Sequence, residues 1–482
     1  SCKIKGKSIA DCASLEISDL LIFIRTIDSE AIATVLTAIV ERLEQMRAIG
    51  LDYLSLGRET ASLSGGESQR VKMVRHLGSS LADIAYIFDE PSVGLHPSDV
   101  HQLNTLLRSL RDKGNTVLVV EHDPDVIAIA DHVVDMGPGA GKDGGHVVYQ
   151  GDYAGLRQAD TLTGRCLRRV APMKREPRSA TGQIALQRLS LHNLRDVSVS
   201  IPTGVLTVVT GVAGSGKSTL VNRLLLRHCP DAILIDQRGL GGTRRSSVSS
   251  YIGVFDEIRS GFAQASDQPA SLFSNNAQGA CPACKGLGLV QTDLAFMDSV
   301  ETPCDACSAT GFNEAARAIT WMGCNIAQVL AFSVEQALRH FQSCQDIVEP
   351  LHRLSNVGLG YLALGQRLNT LSGGERQRLK LASRLAEVGS LYVFDEPTSG
   401  LHMSDVDRLL AILDDLTQRG ATVIVVEHNL DVMAHADWLI EMGPGAGKKG
   451  GKVIFEGLPT AMISAPESVT GPFLWRHLNG QL

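Results

Sequence analysis

The sequence predicts an α/β chain made of two related repeats, and three observations carry that expectation. A set of short motifs occurs twice in the same order. Gly50-Leu51-Asp52-Tyr53-Leu54 returns as Gly358-Leu359-Gly360-Tyr361-Leu362, and Leu63-Ser64-Gly65-Gly66-Glu67 as Leu371-Ser372-Gly373-Gly374-Glu375. Phe88-Asp89-Glu90-Pro91 returns as Phe394-Asp395-Glu396-Pro397, Val120-Glu121-His122 as Val426-Glu427-His428, and Met136-Gly137-Pro138-Gly139 as Met442-Gly443-Pro444-Gly445. Secondly, each repeat alternates helical stretches with short Val- and Ile-rich runs such as Thr422 to Val426, which suit strands covered on both faces. Thirdly, one such run, Val205 to Thr210, feeds a glycine-rich loop, Gly211-Val212-Ala213-Gly214-Ser215-Gly216-Lys217-Ser218-Thr219, with a helix expected from about Lys217.

Composition narrows the class. The 482 residues suffice for two or three domains, and no apolar run reaches the length of a membrane span. The start also lacks a secretory pattern, and the want of a membrane span argues against a transporter carrying its own channel. A net charge of −7 gives no whole-chain nucleic-acid footprint, so any DNA contact must come from a local patch. Ten cysteines, four of them in paired C-x-x-C spacing, read as metal chemistry in a reducing cytoplasm rather than a disulfide framework.

The repeat sets the expected domains. Residues 1–151 form the C-terminal part of a first nucleotide-binding domain, with its signature, carboxylate and histidine segments. Residues 152–182, with Pro172, Pro177 and a run of arginines and lysines, read as a solvated linker, the sharper alternative being a strap on DNA. Residues 183–482 form the second domain, with a cysteine module inserted near 275–315. Gly323-Cys324-Asn325-Ile326-Ala327 matches Gly6-Lys7-Ser8-Ile9-Ala10, so the chain is expected to open within its first repeat, as a C-terminal piece.

The glycine-rich loop has the full G-x-x-x-x-G-K-S spacing. Gly211, Gly214, Ser215 and Gly216 let backbone N–H groups curl around phosphates, and the following helix start favours negative charge. Lys217 pairs with the β and γ phosphates of ATP, Ser218 supplies a hydroxyl to Mg²⁺, and Thr219 completes the loop. Asp395, ending an apolar strand, holds Mg²⁺ through water. Glu396 beside it is the candidate to polarise the attacking water, with His428 on the γ-phosphate and Gln237 bridging Mg²⁺ and water.

In ABC-type ATPases the signature of one nucleotide domain covers the ATP held by the other. Ser64, Gly65 and Gly66 are therefore expected to close over the ATP on Lys217, giving one complete composite site. Asp89, Glu90 and His122 with Ser372, Gly373 and Gly374 form a second, which has no lysine loop in this chain and is expected not to bind ATP.

Cys281-Pro282-Ala283-Cys284 and Cys304-Asp305-Ala306-Cys307 offer four thiolates in a spacing that suits tetrahedral Zn²⁺ without an open position. A module this small buries little apolar surface, so one structural zinc would supply much of its local stability.

A zinc module inserted between a phosphate loop and its signature, with Gly-Pro-Gly-Ala-Gly after each histidine segment, makes the chain resemble the UvrA family of bacterial excinuclease. Ile235-Asp236-Gln237, Gly253-Val254-Phe255-Asp256 and both Asp-Glu-Pro segments running to Gly94-Leu95-His96 and Gly400-Leu401-His402 match too. The resemblance implies a cytoplasmic, dimeric ATPase that binds distorted double-stranded DNA and hands it to a UvrB-type partner, without cutting. The partner-binding region of that family lies ahead of Ser1, so no residue here is assigned to it. Departures exist: Arg238 to Ser250 lacks the expected prolines, and Ala213 looks more like short paralogues, some of which protect against DNA-intercalating drugs. Arg244, Arg245, Lys285 and Arg317 are the DNA-contact candidates on the cysteine-bearing arm.

Three functions follow. The first is damage recognition in nucleotide excision repair, with ATP binding clamping the repeats and hydrolysis resetting them. The second gives the same machine to protection against intercalating drugs. The third, of another class, is a soluble ATP-binding subunit of a transporter or a ribosome-associated ABC protein, which makes no use of four paired cysteines.

Overall fold

The computed structural model describes residues 2–60, 65–77, 82–139, 141, 144–170, 172–236, 243, 245–294, 297–385 and 389–480. The chain forms two compact units, the first comprising Ser1–Pro138, His146–Asp236 and Gly389–Leu482, the second Gly139–Gly145 and Gln237–Val388. Its described strands, in chain order, are β1 (Ala85–Asp89), β2 (Thr116–Val120), β3 (Val133–Gly137), β4 (His146–Gly151), β5 (Gly182–Leu191), β6 (Leu194–Thr203), β7 (Leu206–Thr210), β8 (Ile233–Ile235), β9 (Leu289–Leu294), β10 (Met297–Pro303), β11 (Thr320–Trp321), β12 (Cys324–Asn325), β13 (Leu391–Asp395), β14 (Thr422–Val426), β15 (Trp438–Gly443) and β16 (Lys452–Gly457).

In the first unit the second repeat builds a six-stranded sheet in the order β16-β15-β7-β14-β13-β8, parallel except for β16. β7 and β14 are buried along their whole length, as continuous Val/Ile runs require when both faces are covered. Register aligns Asp395 with Val426 and Val426 with Val209. Asp395, the Glu427-His428 pair and the Gly211 loop therefore leave the same carboxyl edge of the sheet, where ligands bind in open parallel sheets.

The first repeat reproduces part of this plan. Helices Ile17–Arg25, Gly65–Leu77 and Pro97–Asp112 pack with Leu51, Leu54, Met73, Phe88 and Leu107 into a core of their own. β1 and β2 pair in parallel, with Asp89 opposite Val120 as Asp395 is opposite Val426. Here the expectation of strands covered on both faces fails. Ile87 is 71% exposed and Leu118 57%. In the second repeat β7 lies between β14 and β15, whereas no described strand lies between β2 and β3. The same apolar pattern thus meets solvent because the strand that would close the sheet is not among the described residues.

Residues 152–182 differ from a free solvated linker. They carry helices Tyr153–Gln158 and Leu162–Arg168. Further on, Lys174 Nζ lies 2.7 Å from Asp437 Oδ1, and Arg178 reaches Asp414 at 2.8 Å and Asp437 at 3.4 Å. The Asp437 side chain is almost fully buried, and an unpaired carboxylate there would cost about 3–5 kcal/mol, which is why these cations are held. Sequence alone could not tell a pinned arginine from a solvated one.

The second unit packs Phe262, Phe273, Trp321 and Phe341 ring against ring, with the antiparallel β9–β10 pair alongside the cysteine segments in sequence. Its signature segment starts helix Gly373–Arg384. Ser372 caps that helix, its Oγ accepting from Glu375 N while Glu375 Oε2 accepts from Ser372 N. No described helix is long and apolar enough to cross a membrane.

Candidate functional site

The glycine-rich loop follows β7 directly, as its buried lead-in predicts. Lys217 and Ser218 enter a helical turn, and Thr219–Leu225 then winds as a π-helix, a wider coil often found at functional sites. It carries Asn222, whose Nδ2 donates to Asp395 Oδ2 at 2.7 Å. Lys217 is buried, its Nζ donating to Gly211 O at 2.7 Å and Val212 O at 3.0 Å. Burial pushes its ammonium down from the usual lysine range, and Glu396, Asp99 and Asp395 oppose that shift.

Glu396 follows Asp395 with a left-handed backbone (φ 49°), its N–H donating to Val426 O, so its side chain leaves the strand line. His428 Nε2 stands 3.9 Å from Glu396 Oε1. Burial, then Lys217, His96 and Arg70, hold the His428 imidazole well below the usual histidine range, so the ring is neutral at pH 7. Thr210 Oγ1, Ser215 Oγ, Asn222 Oδ1 and His428 Nδ1 are buried without a hydrogen-bond partner in the protein. Four such atoms around one loop are costly unless a polar ligand satisfies them.

The first repeat lies over this loop. A Cβ on Gly214 would meet Tyr53 Cε2 at 2.7 Å. Tyr53 Oη donates to Glu67 Oε1 at 2.5 Å, on the helix that Gly65 and Gly66 open. Asp99 accepts a hydrogen bond from the Ala213 backbone. Gly94 and His96, beyond Asp89-Glu90, touch Glu396 and His428 respectively. Ser64, Gln237 and Arg244, expected at the ATP and DNA sites, fall outside the described residues.

The counterpart set differs. His122 Nε2 stands 3.5 Å from Glu90 Oε1, and a hydrogen bond donated to the Glu90 carboxylate raises its pKa despite the opposing effect of burial. One histidine is thus neutral beside a lysine, and its twin leans toward the charged form where no lysine loop is present among the described residues. Asp89, Glu90 and His122 belong to the first unit, and Ser372, Gly373 and Gly374 to the second.

Sequence reasoning missed Tyr53, Asp99, Arg70, Asn222 and the roles of Gly94 and His96. Part of the signal was available, since Tyr53 recurs as Tyr361 and Gly94-Leu95-His96 as Gly400-Leu401-His402.

Cys281, Cys284, Cys304 and Cys307 are all buried, and their sulfurs lie within 4.8 Å of one another. Cys284 Sγ and Cys307 Sγ are 3.7 Å apart. Tetrahedral zinc with bonds of about 2.3 Å requires sulfurs about 3.8 Å apart, so the cluster fits that ion. Gly288 N–H and Gly311 N–H point at Cys284 Sγ (3.1 Å) and Cys307 Sγ (3.3 Å), as thiolate ligands would favour. Lys285, between the pairs, and Arg245 are exposed, and Arg317 is half-buried.

The family model described as "ABC transporter" matches residues 194–399. UvrABC system protein A of Streptomyces avermitilis is 41% identical over 513 residues, spanning 98% of this chain and 51% of the relative. That of Aquifex aeolicus is 41% identical over 518 residues, spanning 98% and 56%. The crystal structure of UvrA2 from Deinococcus radiodurans superposes with a TM-score of 0.92 at 38% identity, covering 99% of this chain and 64% of that one. The chain belongs to the UvrA family. It spans about half the length of the curated UvrA relatives it matches. The α/β fold with two ABC-type repeats, the first incomplete among the described residues, agrees with the UvrA match along nearly the whole chain.

Proposed function

We propose that this chain is a DNA-binding ATPase of nucleotide excision repair. ATP binding at Lys217 draws the two repeats together on damaged or distorted duplex, and hydrolysis resets them before hand-over to a UvrB-type incision partner. The reading is supported above all by four unpaired buried polar atoms around a phosphate loop that the other repeat covers. Lys217 and the loop N–H groups would bind the phosphates, while Ser218 and Asp395, with Asn222 steadying Asp395, would hold Mg²⁺. Glu396 would orient the attacking water and the neutral His428 would contact the γ-phosphate. Ser64, Gly65 and Gly66 would close the site from the first repeat.

The protein would act in the cytoplasm as a homodimer on double-stranded DNA. Arg244, Arg245, Lys285 and Arg317 would contribute phosphate contacts, and one structural Zn²⁺ would hold the arm that carries them. The test is ATP turnover by the purified chain with no DNA, intact duplex and lesion-bearing duplex. Stimulation by the lesion-bearing duplex, lost in Lys217→Ala, is expected, and turnover indifferent to every duplex would contradict the reading.

A further inference from the structure

Thr470 sits in the C-terminal segment, far from every motif, yet it is fully buried between His96 of the first repeat and Glu441 on β15 of the second. The hydrogen bonds fix their own direction. Ser98 N–H donates to His96 Nδ1 at 3.2 Å, so the ring proton is on Nε2, which donates to Thr470 Oγ1 at 2.9 Å. The Thr470 hydroxyl then donates to Glu441 Oε1 at 2.6 Å, and Glu441 also accepts from Thr470 N at 2.8 Å and Ser468 Oγ at 2.6 Å. The oriented His96 ring meets the His428 ring edge to face, centroids 5.9 Å apart at 87°. Burial and Lys217 push His96 down to about 3, so this ring too stays neutral.

The arrangement recurs with the repeats exchanged. Asp135 on β3 accepts from Thr163 Oγ1 at 2.8 Å, Thr163 lies 3.2 Å from His402 Nε2, and His402 meets His122 with centroids 5.9 Å apart at 82°. Ser404 N–H holds His402 Nδ1 at 3.2 Å, as Ser98 holds His96. Thr163-Gly164 and Leu167 recur as Thr470-Gly471 and Leu474, so the two threonines are equivalent positions of the two repeats and the arrangement belongs to the repeat itself.

We propose that Glu441, Thr470 and His96 form a positioning relay that sets the His428 ring from the opposite repeat, with Asp135, Thr163 and His402 doing the same for His122. This rests on the reading that the Lys217 site hydrolyses ATP. The relay makes catalysis in one repeat depend on docking by the other, since His96 reaches His428 only when the repeats are packed. Gly94, whose added Cβ would stand 2.8 Å from Glu396 Oε2, places the same loop against the second candidate catalytic group.

The experiment compares Thr470→Val, Thr470→Ser, Glu441→Gln and Thr163→Val in the full chain, by steady-state ATP turnover and by ¹⁵N NMR of the histidine rings. Thr470→Val is expected to lower kcat about tenfold with KM within about twofold, and to shift the His428 ring nitrogens. Thr470→Ser restores both. Thr163→Val leaves turnover unchanged and moves the His402 and His122 signals but not those of His428. Glu441→Gln repeats the Thr470→Val result if that variant folds poorly. Unchanged kcat and unmoved His428 signals in folded Thr470→Val and Glu441→Gln overturn the relay. If the wild-type chain shows no Lys217-dependent turnover, the ATPase reading fails instead, and the His428 signals alone decide the relay.

Discussion

Tyr53 of the first repeat lies on Gly214 in the phosphate loop of the second, so close that a Cβ there would stand 2.7 Å from the ring. Gly214 also has φ +73°, a conformation that side chains resist. Gly214→Ala is therefore expected to weaken ATP binding by roughly 1–3 kcal/mol, through overpacking and backbone strain together. Tyr53→Ala in the same chain should return part of the loss, because it removes the clash and leaves the strain. Equilibrium titration with a fluorescent ATP analogue measures both.

Asp123 caps the short helix Pro124–Ile127, its Oδ1 accepting from Asp125 N at 2.8 Å. Burial, with Asp125 and Glu121 nearby, pushes its carboxyl up to about 7, above an unfolded value of about 3.9. Between those pH values the folded chain holds a proton that the unfolded chain has lost. Stability thus falls as pH rises through this window, and the loss is complete above about 7. Asn429 stands at the matching place in the second repeat and caps with the same geometry. Asp123→Asn should raise stability at pH 8 by about 2 kcal/mol, allowing for partial solvent access, and leave it little changed at pH 4. Denaturant melts at the two pH values test this.

The cysteine cluster predicts one zinc per chain. Metal analysis of the purified protein should find it, and Cys284→Ser should lose it. Chelation should open amide exchange in residues 275–315 without lowering ATP affinity, because the phosphate loop belongs to the other unit. Equal loss of ATP affinity on chelation would contradict that separation.

The proposed DNA contact by the cysteine-bearing arm predicts a salt dependence. Replacing Arg245 and Lys285 together should weaken duplex binding and flatten the log–log salt slope by about 0.9 for each phosphate that is no longer neutralised. An unchanged slope would remove both from the interface.

The sequence shows the chemistry of the complete site more plainly than its surroundings. Lys217, Asp395, Glu396 and His428 were legible because each motif sits at a strand end, and register brings strand ends to one edge. The four cysteines were legible because their spacing alone allows a tetrahedral set. What escaped depends on tertiary neighbours. β1 and β13 carry nearly the same residues, yet Ile87 faces solvent and Val393 is buried, and only the presence of adjoining strands distinguishes them. Lys174 and Arg178 looked like solvated charge until Asp414 and Asp437, far along the chain, proved to hold them. Tyr53 recurs as Tyr361 and Thr470 matches Thr163, but the role of each lies in what another segment brings against it.

The proposed pairing of the first signature with the second phosphate loop is best measured by counting nucleotides. In a Glu396→Gln background, where hydrolysis should stall, equilibrium dialysis with Mg-ATP should find one nucleotide per chain. Lys217→Ala should abolish that binding, and Ser64→Arg in the first signature should weaken it about a hundredfold, roughly 2.7 kcal/mol. Ser372→Arg in the second signature should leave it alone. Two nucleotides per chain, or binding that answers to Ser372 and ignores Ser64, would contradict the arrangement.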